Sequence, residues 1–235
     1  MQRFYTTNIS GDIAELPEEE ARHCIKVLRK QVGDLVELVD GLGSIWEGRL
    51  LTDDIRHCQI RLHKELPNTQ KRNFQLTVAI APPKNNERFE WFLEKATEIG
   101  IDTIVPIYTA RSERRKLNLD RLNKVLVAAM KQSGKAELPI LKDSVSLGDL
   151  WQLYQEATVE KYIAVCFGDE LPHLKDAYGK GKNALILIGP EGDFTEAEAQ
   201  TAIRHNFQPI SLGRSRLRLE TAGIVACHIV NLLNE

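Results

Sequence analysis

A change of hydrophobic rhythm across Leu66-Pro67-Asn68-Thr69-Gln70-Lys71-Arg72-Asn73 constrains this chain more than any other feature. Pro and polar residues mark that stretch as a seam between two segments with different architectures. Before it, apolar and polar residues alternate with the period of a strand. Leu35-Val36-Glu37-Leu38-Val39 leads through Asp40-Gly41-Leu42-Gly43 into Ser44-Ile45-Trp46-Glu47-Gly48-Arg49-Leu50-Leu51, a hairpin pattern. From His57 to Leu62, Cys58, Ile60 and Leu62 share one face, and His57, Gln59 and Arg61 the other. One helix interrupts, over about Glu18 to Arg29, with Pro17 before it and three acids in its first turn. The pattern predicts a small β-barrel or sandwich over residues 1–70.

After the seam, strands and helices alternate. Leu76 to Ile80 reads as a short apolar strand. Phe89, Phe92, Leu93, Ala96 and Ile99 then recur at helical spacing, with Gly100 as the stop. Ile104-Val105-Pro106-Ile107 is a strand, and Leu119, Leu122, Leu126, Ala129 and Met130 mark a helix closed by Gly134. Further strands are expected at Tyr162–Cys166, Ala184–Ile188 and Pro209–Leu212. Thr195 and Glu198 form a capping box that opens a helix running to His205, and a last apolar helix runs from Thr221 to Leu233. Residues 73–235 therefore read as an α/β domain with a mainly parallel sheet.

Composition excludes several classes. With 43% hydrophobic and 27% charged residues, the 235-residue chain is globular rather than disordered. Its longest apolar run, Ala184 to Ile188, falls far short of the ~20 residues that span a bilayer. Residues 1–8 lack the apolar core of a secretory signal, so a cytoplasmic protein without a membrane partner is expected. Cys24, Cys58, Cys166 and Cys227 stand far apart in sequence with no Cys-x-x-Cys pair, and no metal site is expected.

In parallel α/β sheets, ligands bind at the carboxyl ends of the strands. Three late strands lead into Gly-rich or polar loops, at residues 167–170, 189–194 and 213–220. Each alone reads as a turn, but three in one sheet point to a shared pocket. No Gly-x-Gly-x-x-Gly, P-loop or Gly-x-Ser-x-Gly motif is present. Loops of that kind suit a ligand read through main-chain N–H and C=O groups, and an adenosyl group is chemically reasonable.

A formal charge of −2, from 31 bases and 33 acids, first counts against nucleic acid. The distribution of that charge points the other way. Eight bases against two acids lie between Arg111 and Lys135, while Arg22, Lys26, Arg29 and Lys30 cluster without an acid. Arg214, Arg216 and Arg218 alternate within the last loop. Such local patches fit selective rather than indiscriminate RNA contact. A non-enzymatic RNA-binding protein would explain the bases but not the loops. A small-molecule enzyme of the α/β class would explain the loops but not the bases.

The segments Ile188-Gly189-Pro190-Glu191-Gly192-Asp193-Phe194-Thr195 and Leu212-Gly213-Arg214-Ser215-Arg216-Leu217-Arg218-Leu219-Glu220-Thr221-Ala222 resemble the signature of the RsmE family. These are 16S ribosomal RNA uridine-N3 methyltransferases of the knotted SPOUT superfamily. His23, Val27-Leu28-Arg29, Gly33-Asp34, Asp40-Gly41, Lys95 to Ile101, Pro106, Arg111-Ser112 and Gln132-Ser133-Gly134-Lys135 extend the resemblance over nearly the whole chain. It implies a PUA-like RNA-binding β-barrel followed by a SPOUT-type α/β domain whose C-terminal segment threads a trefoil knot, and a homodimer formed partly by the last helix. It also implies S-adenosyl-L-methionine held by the three late loops, at Phe167, Gly168, Ile188, Gly189, Pro190, Glu191, Gly192, Leu212, Gly213, Leu217 and Leu219.

The implied partner is 16S rRNA of the small ribosomal subunit, within rRNA processing. Arg22, Lys26, Arg29, Arg111, Arg114, Arg115, Lys116, Lys135 and Arg214 are the candidate RNA contacts. Arg218 and Arg216 are the candidates to stabilise charge on the uracil oxygens, and Glu220 to accept the N3 proton or orient an arginine. The chain departs from the family pattern in three places. Arg214-Ser215-Arg216 replaces the usual Pro-Arg-Ile, Asp193 stands where a third Gly is common, and Lys135 where Arg is common.

Overall fold

The computed structural model describes residues 3–112, 117–167 and 170–235. They form two compact units, Met1–Lys71 with Val127–Leu138, and Arg72–Leu126 with Pro139–Glu235.

In the first unit, β1 (Arg3–Tyr5), β2 (Ile9–Ser10) and β3 (Ile13–Glu15) precede α1 (Glu18–Arg22), and β4 (Leu35–Val39), β5 (Ile45–Leu50) and β6 (Gln59–Leu66) follow it. The six strands make one sheet in the order β1-β4-β5-β6-β3-β2. β1 pairs with β4 in parallel and every other pair is antiparallel. This order forces the sheet to curl. β1 and β2 lie at opposite edges, which in a flat six-stranded sheet stand roughly 24 Å apart. Only Thr6, Thr7 and Asn8 join them, a link of roughly 14 Å at full stretch. Thr6 Oγ1 donates to the Glu15 carbonyl oxygen at 2.6 Å and Glu15 N–H to the Asn8 carbonyl oxygen at 2.9 Å, which holds the curl shut. Phe4, Val36, Leu38, Leu50, Ile60 and Leu62 fill its interior, and Cys58, just before β6, is buried there with Ile60 and Leu62 of that strand, as the alternation predicts.

Two expectations for this unit need correction. The helix expected to Arg29 keeps α geometry only to Arg22, then widens to a π-turn over His23–Val27 and stops at Leu28, with Arg29 in the left-handed region. Val127–Leu138 joins this unit although it lies beyond the seam, because Met130 and Ala136 bury against Val39 and Ile45. Lys131 Nζ also reaches Glu20 Oε1 at 2.5 Å. Cys24 and Cys58, remote in sequence, meet in the core. The interaction between the two thiols lowers the pKa of Cys24 and raises that of Cys58, with burial adding to the second.

The second unit begins with β7 (Leu76–Ile80), α2 (Asn86–Ile99) and β8 (Thr103–Tyr108), followed by α3 (Leu119–Gln132), whose residues from Val127 onward count with the first unit. Then come β9 (Ile140–Leu141), β10 (Val145–Ser146), α4 (Leu147–Leu153), β11 (Glu160–Ala164), α5 (Leu174–Ala177) and β12 (Ala184–Ile188). The chain ends with α6 (Glu196–Arg204), β13 (Gln208–Ile210) and α7 (Leu219–Asn234). The sheet order is β10-β8-β7-β12-β11-β13, with β9 also on β8, and every pair is parallel. All five residues of β12 are buried, as a central strand covered on both faces requires. The expected capping box of Thr195 and Glu198 opens α6. α7 packs on α2 so closely that a β-carbon at Gly223 would lie 2.5 Å from Phe92 Cε2. No helix among the described residues is long and apolar enough to cross a membrane.

Candidate active site

A parallel sheet sends every strand-to-helix loop off the same edge. The loops after β11, β12 and β13, with the first turns of α2 and α7, enclose a cavity of about 860 Å³. That volume lies within the roughly 300–1,000 Å³ of small-molecule sites. One wall is Ile188 to Asp193, another Ser211 to Arg218, and the floor is Leu219, Glu220 and Ala222.

Nine of the eleven expected cofactor contacts therefore line one space: Ile188, Gly189, Pro190, Glu191, Gly192, Leu212, Gly213, Leu217 and Leu219. Phe167 does not line it and is 37% exposed; of the segment after β11, Val165, Cys166, Glu170 and Leu171 reach the cavity. Gly168 lies outside the described residues.

Arg214, Arg216, Arg218 and Glu220 surround the same space. The three guanidinium groups form no hydrogen bond or ion pair with the described residues, so they are available to a ligand. Glu220 is only 6% exposed, in the first turn of α7, where the helix dipole favours a carboxylate. Its partner is Arg88 of α2, with Nε 3.8 Å from Glu220 Oε1. Arg88 also lines the cavity, and sequence reasoning passed it over because it belongs to no basic cluster.

The expected RNA contacts divide. Arg22, Lys26 and Arg29 are exposed in the first unit, Arg22 pairing with Glu18 at 2.9 Å, and Lys135 belongs to that unit's Val127–Leu138 segment. Arg111 is exposed in the second unit, its Nη1 donating to the Gly192 carbonyl oxygen at 2.5 Å. Arg114, Arg115 and Lys116 lie outside the described residues.

Two further cavity residues went unassigned from sequence. Asp193 has φ +61° and accepts hydrogen bonds on both oxygens, from Cys166 N–H at 2.8 Å and Phe194 N–H at 2.7 Å. The Cys166 thiol is exposed, and desolvation together with the Asp193 carboxylate pushes its pKa up against the opposing pull of Arg216. A thiol so perturbed is a poor nucleophile at neutral pH. Among the described residues no three His, Cys, Asp or Glu side chains gather as a metal site.

Comparison with known proteins agrees with this geometry. Residues 70–231 match the family described as RNA methyltransferase domain, and residues 16–62 match RNA methyltransferase PUA domain. The ribosomal RNA small subunit methyltransferase E of Synechocystis is 31% identical over 216 residues, which span 89% of this chain and 70% of that protein. Its Bacillus subtilis namesake is 27% identical over 100% of this chain and 98% of its own. Among solved structures, a probable rRNA-methyltransferase from Porphyromonas gingivalis shares 38% identity with a TM-score of 0.90, covering 100% of this chain and 98% of that one. The Neisseria gonorrhoeae ribosomal RNA small subunit methyltransferase E bound to S-adenosyl methionine shares 25% identity with a TM-score of 0.87, at the same coverage. The chain thus belongs to the RNA methyltransferase domain family, among the ribosomal RNA small subunit methyltransferase E proteins.

Proposed function

We propose that the protein methylates N3 of a specific uridine in 16S ribosomal RNA, using S-adenosyl-L-methionine, as a cytoplasmic step of ribosome maturation. The observation that carries this reading is one cavity at the carboxyl end of a parallel sheet, lined by four arginines, Arg88, Arg214, Arg216 and Arg218, together with the buried carboxylate of Glu220.

The donor set suits the cofactor. Leu212 and Leu217 line the cavity and have no main-chain hydrogen-bond partner among the described residues, so their N–H and C=O groups can read an adenosine. Leu217 and Leu219 supply apolar surface beside them. Ile188, Gly189 and Pro190 close the opposite wall. When bound, the cofactor supplies an electrophilic methyl on a sulfonium.

The chain's own task is to make uridine N3 nucleophilic at that methyl. N3 carries a proton in neutral uridine, and its loss places negative charge on the uracil oxygens. Arg216 and Arg218 stabilise that charge as preorganised donors. Glu220 accepts the N3 proton on a carboxylate oxygen, with Arg88 fixing its orientation. Arg214, at the exposed rim, meets the RNA backbone. Holding N3 in line with the methyl then accounts for most of the remaining barrier reduction.

The first unit is the PUA-like RNA-binding domain, presenting Arg22, Lys26, Arg29 and Lys135. The C-terminal segment is threaded as a trefoil knot. The strand order supports this, since the chain leaves β13 beyond β11 and returns through the 211–218 loop to pack α7 on β7, β12 and α2. A homodimer forms partly on α7, where Leu232 is 54% exposed; a monomeric mass in dilute solution would overturn it. The whole reading is tested on ribosomal RNA from a strain lacking the gene. N3-methyluridine should be absent there and restored by the intact gene, and an unchanged modification profile rejects the function.

A further inference from the structure

We propose that Asp193 is a positioning residue for the cofactor, a latch that fixes the distance between two walls of the cavity. The inference rests on the cofactor reading above and adds a residue to it.

Asp193 holds a backbone conformation that L side chains disfavour, at φ +61°. Glycine would adopt it without strain, so the side chain must contribute something that glycine lacks. Both carboxylate oxygens are engaged. Oδ1 accepts the N–H of Phe194 on its own loop, and Oδ2 crosses to the N–H of Cys166, at the start of the loop after β11. The second bond joins two strand-end loops that are 27 residues apart in sequence.

Two other ties hold the same loop from different sides. Lys84 N–H donates to Glu191 Oε1 at 3.4 Å, and Arg111 Nη1 donates to the Gly192 carbonyl oxygen. Three consecutive residues, Glu191, Gly192 and Asp193, are thus anchored to the segments after β7, β8 and β11. The Asp193 tie differs in running between two loops that both line the cavity. It also occupies the Cys166 N–H, which is then unavailable to a ligand. A charged acceptor makes such bonds stronger than neutral ones. The latch sets the width into which the cofactor fits before the cofactor arrives.

The test compares wild type with Asp193→Gly and Asp193→Asn, because Gly and Asn both tolerate positive φ and leave the carboxylate as the variable. Affinity for S-adenosylmethionine is measured by calorimetry, and methyl transfer is resolved into kcat and the cofactor KM. Asp193→Gly should weaken affinity about tenfold, the equivalent of one lost charge-assisted hydrogen bond. Asp193→Asn, which keeps one acceptor oxygen, should fall between the two. In both variants the cofactor KM should rise while kcat stays near wild type. Equal affinity in all three proteins overturns the latch, as does a fall in kcat at unchanged cofactor KM. If Asp193→Gly does not fold, Asp193→Asn decides alone by the same criteria. A wild-type protein that takes up no cofactor overturns the proposed function instead, so the two failures are distinguishable.

Discussion

Arg88 Nε stands 3.8 Å from Glu220 Oε1, and this pair joins the first turn of α2 to the first turn of α7. Glu220 is buried while Arg88 keeps 42% of its side chain exposed within the cavity lining. A pair at that distance, with Arg88 so exposed, contributes less than about 1 kcal/mol to stability. Glu220→Gln should therefore leave the unfolding midpoint and cofactor affinity close to wild type. Methyl transfer should fall by about 100-fold or more, the scale of a lost general base. Retained turnover in a folded Glu220→Gln protein would leave Glu220 as a helix-terminal carboxylate with no part in proton transfer.

The proposed reaction gives the three loop arginines, all exposed in the cavity lining, different tasks that single substitutions separate. Arg216→Ala and Arg218→Ala should each lower kcat about 10- to 1,000-fold, as expected for removing a donor aimed at developing charge. Arg214→Ala should instead raise the KM for RNA with little change in kcat and flatten the salt dependence of binding. Steady-state kinetics at two salt concentrations distinguishes these outcomes. A wild-type rate for Arg218→Ala would remove that residue from the mechanism.

Much of this site was legible because its chemistry lies in contiguous loops. The runs 188–192 and 212–220 contribute most of the lining, and strand-end loops of a parallel sheet meet by topology alone. What escaped notice depends on contacts between distant segments. Arg88 is one of two bases, with Lys95, in an ordinary amphipathic helix, and only the α2–α7 packing brings it to Glu220. Arg111 reads as one of a basic run, and its bond to the Gly192 carbonyl oxygen, 81 residues away, is invisible in the sequence. Cys24 and Cys58 meet through the curl of the first sheet. α4 had a readable start in Ser146 and Asp149, a capping box, but Gly148 between them obscured a helix of seven residues. The three-residue strands β1 and β3 are too short to show a period.

The cysteines offer a check on the site's electrostatics. Cys24, Cys58 and Cys227 are buried, and burial holds Cys227 up at about 12. Only Cys166 is exposed, with its pKa raised by desolvation and by Asp193. Native protein should therefore consume one equivalent of iodoacetamide, against four after unfolding. The thiolate is the reacting form, so the native rate should still be climbing above about pH 8.5, where an ordinary thiol is half ionised. Asp193→Asn removes a neighbouring negative charge and should shift that profile to lower pH. A profile at or below that of a free thiol in the wild type would contradict the packing around Asp193.

The first unit borrows Val127–Leu138 from beyond the seam, and that segment supplies fully buried Met130 and nearly buried Ala136 against Val39 and Ile45. It also completes the main-chain pairing near the hairpin tip, with Leu138 N–H donating to the Gly41 carbonyl oxygen at 2.9 Å and Gly43 N–H to that of Ala136 at 3.2 Å. A fragment ending at Lys71 would expose this apolar surface and leave those groups without partners. Fragment 1–71 should therefore show poor dispersion in its amide NMR spectrum, whereas the full chain should show a folded spectrum. In the full chain, Met130→Ala should destabilise the unit by about 2–5 kcal/mol, the cost of emptying a methionine site in a core. A well-dispersed spectrum from fragment 1–71 would mean that the barrel closes its own core and that Val127–Leu138 only docks onto it.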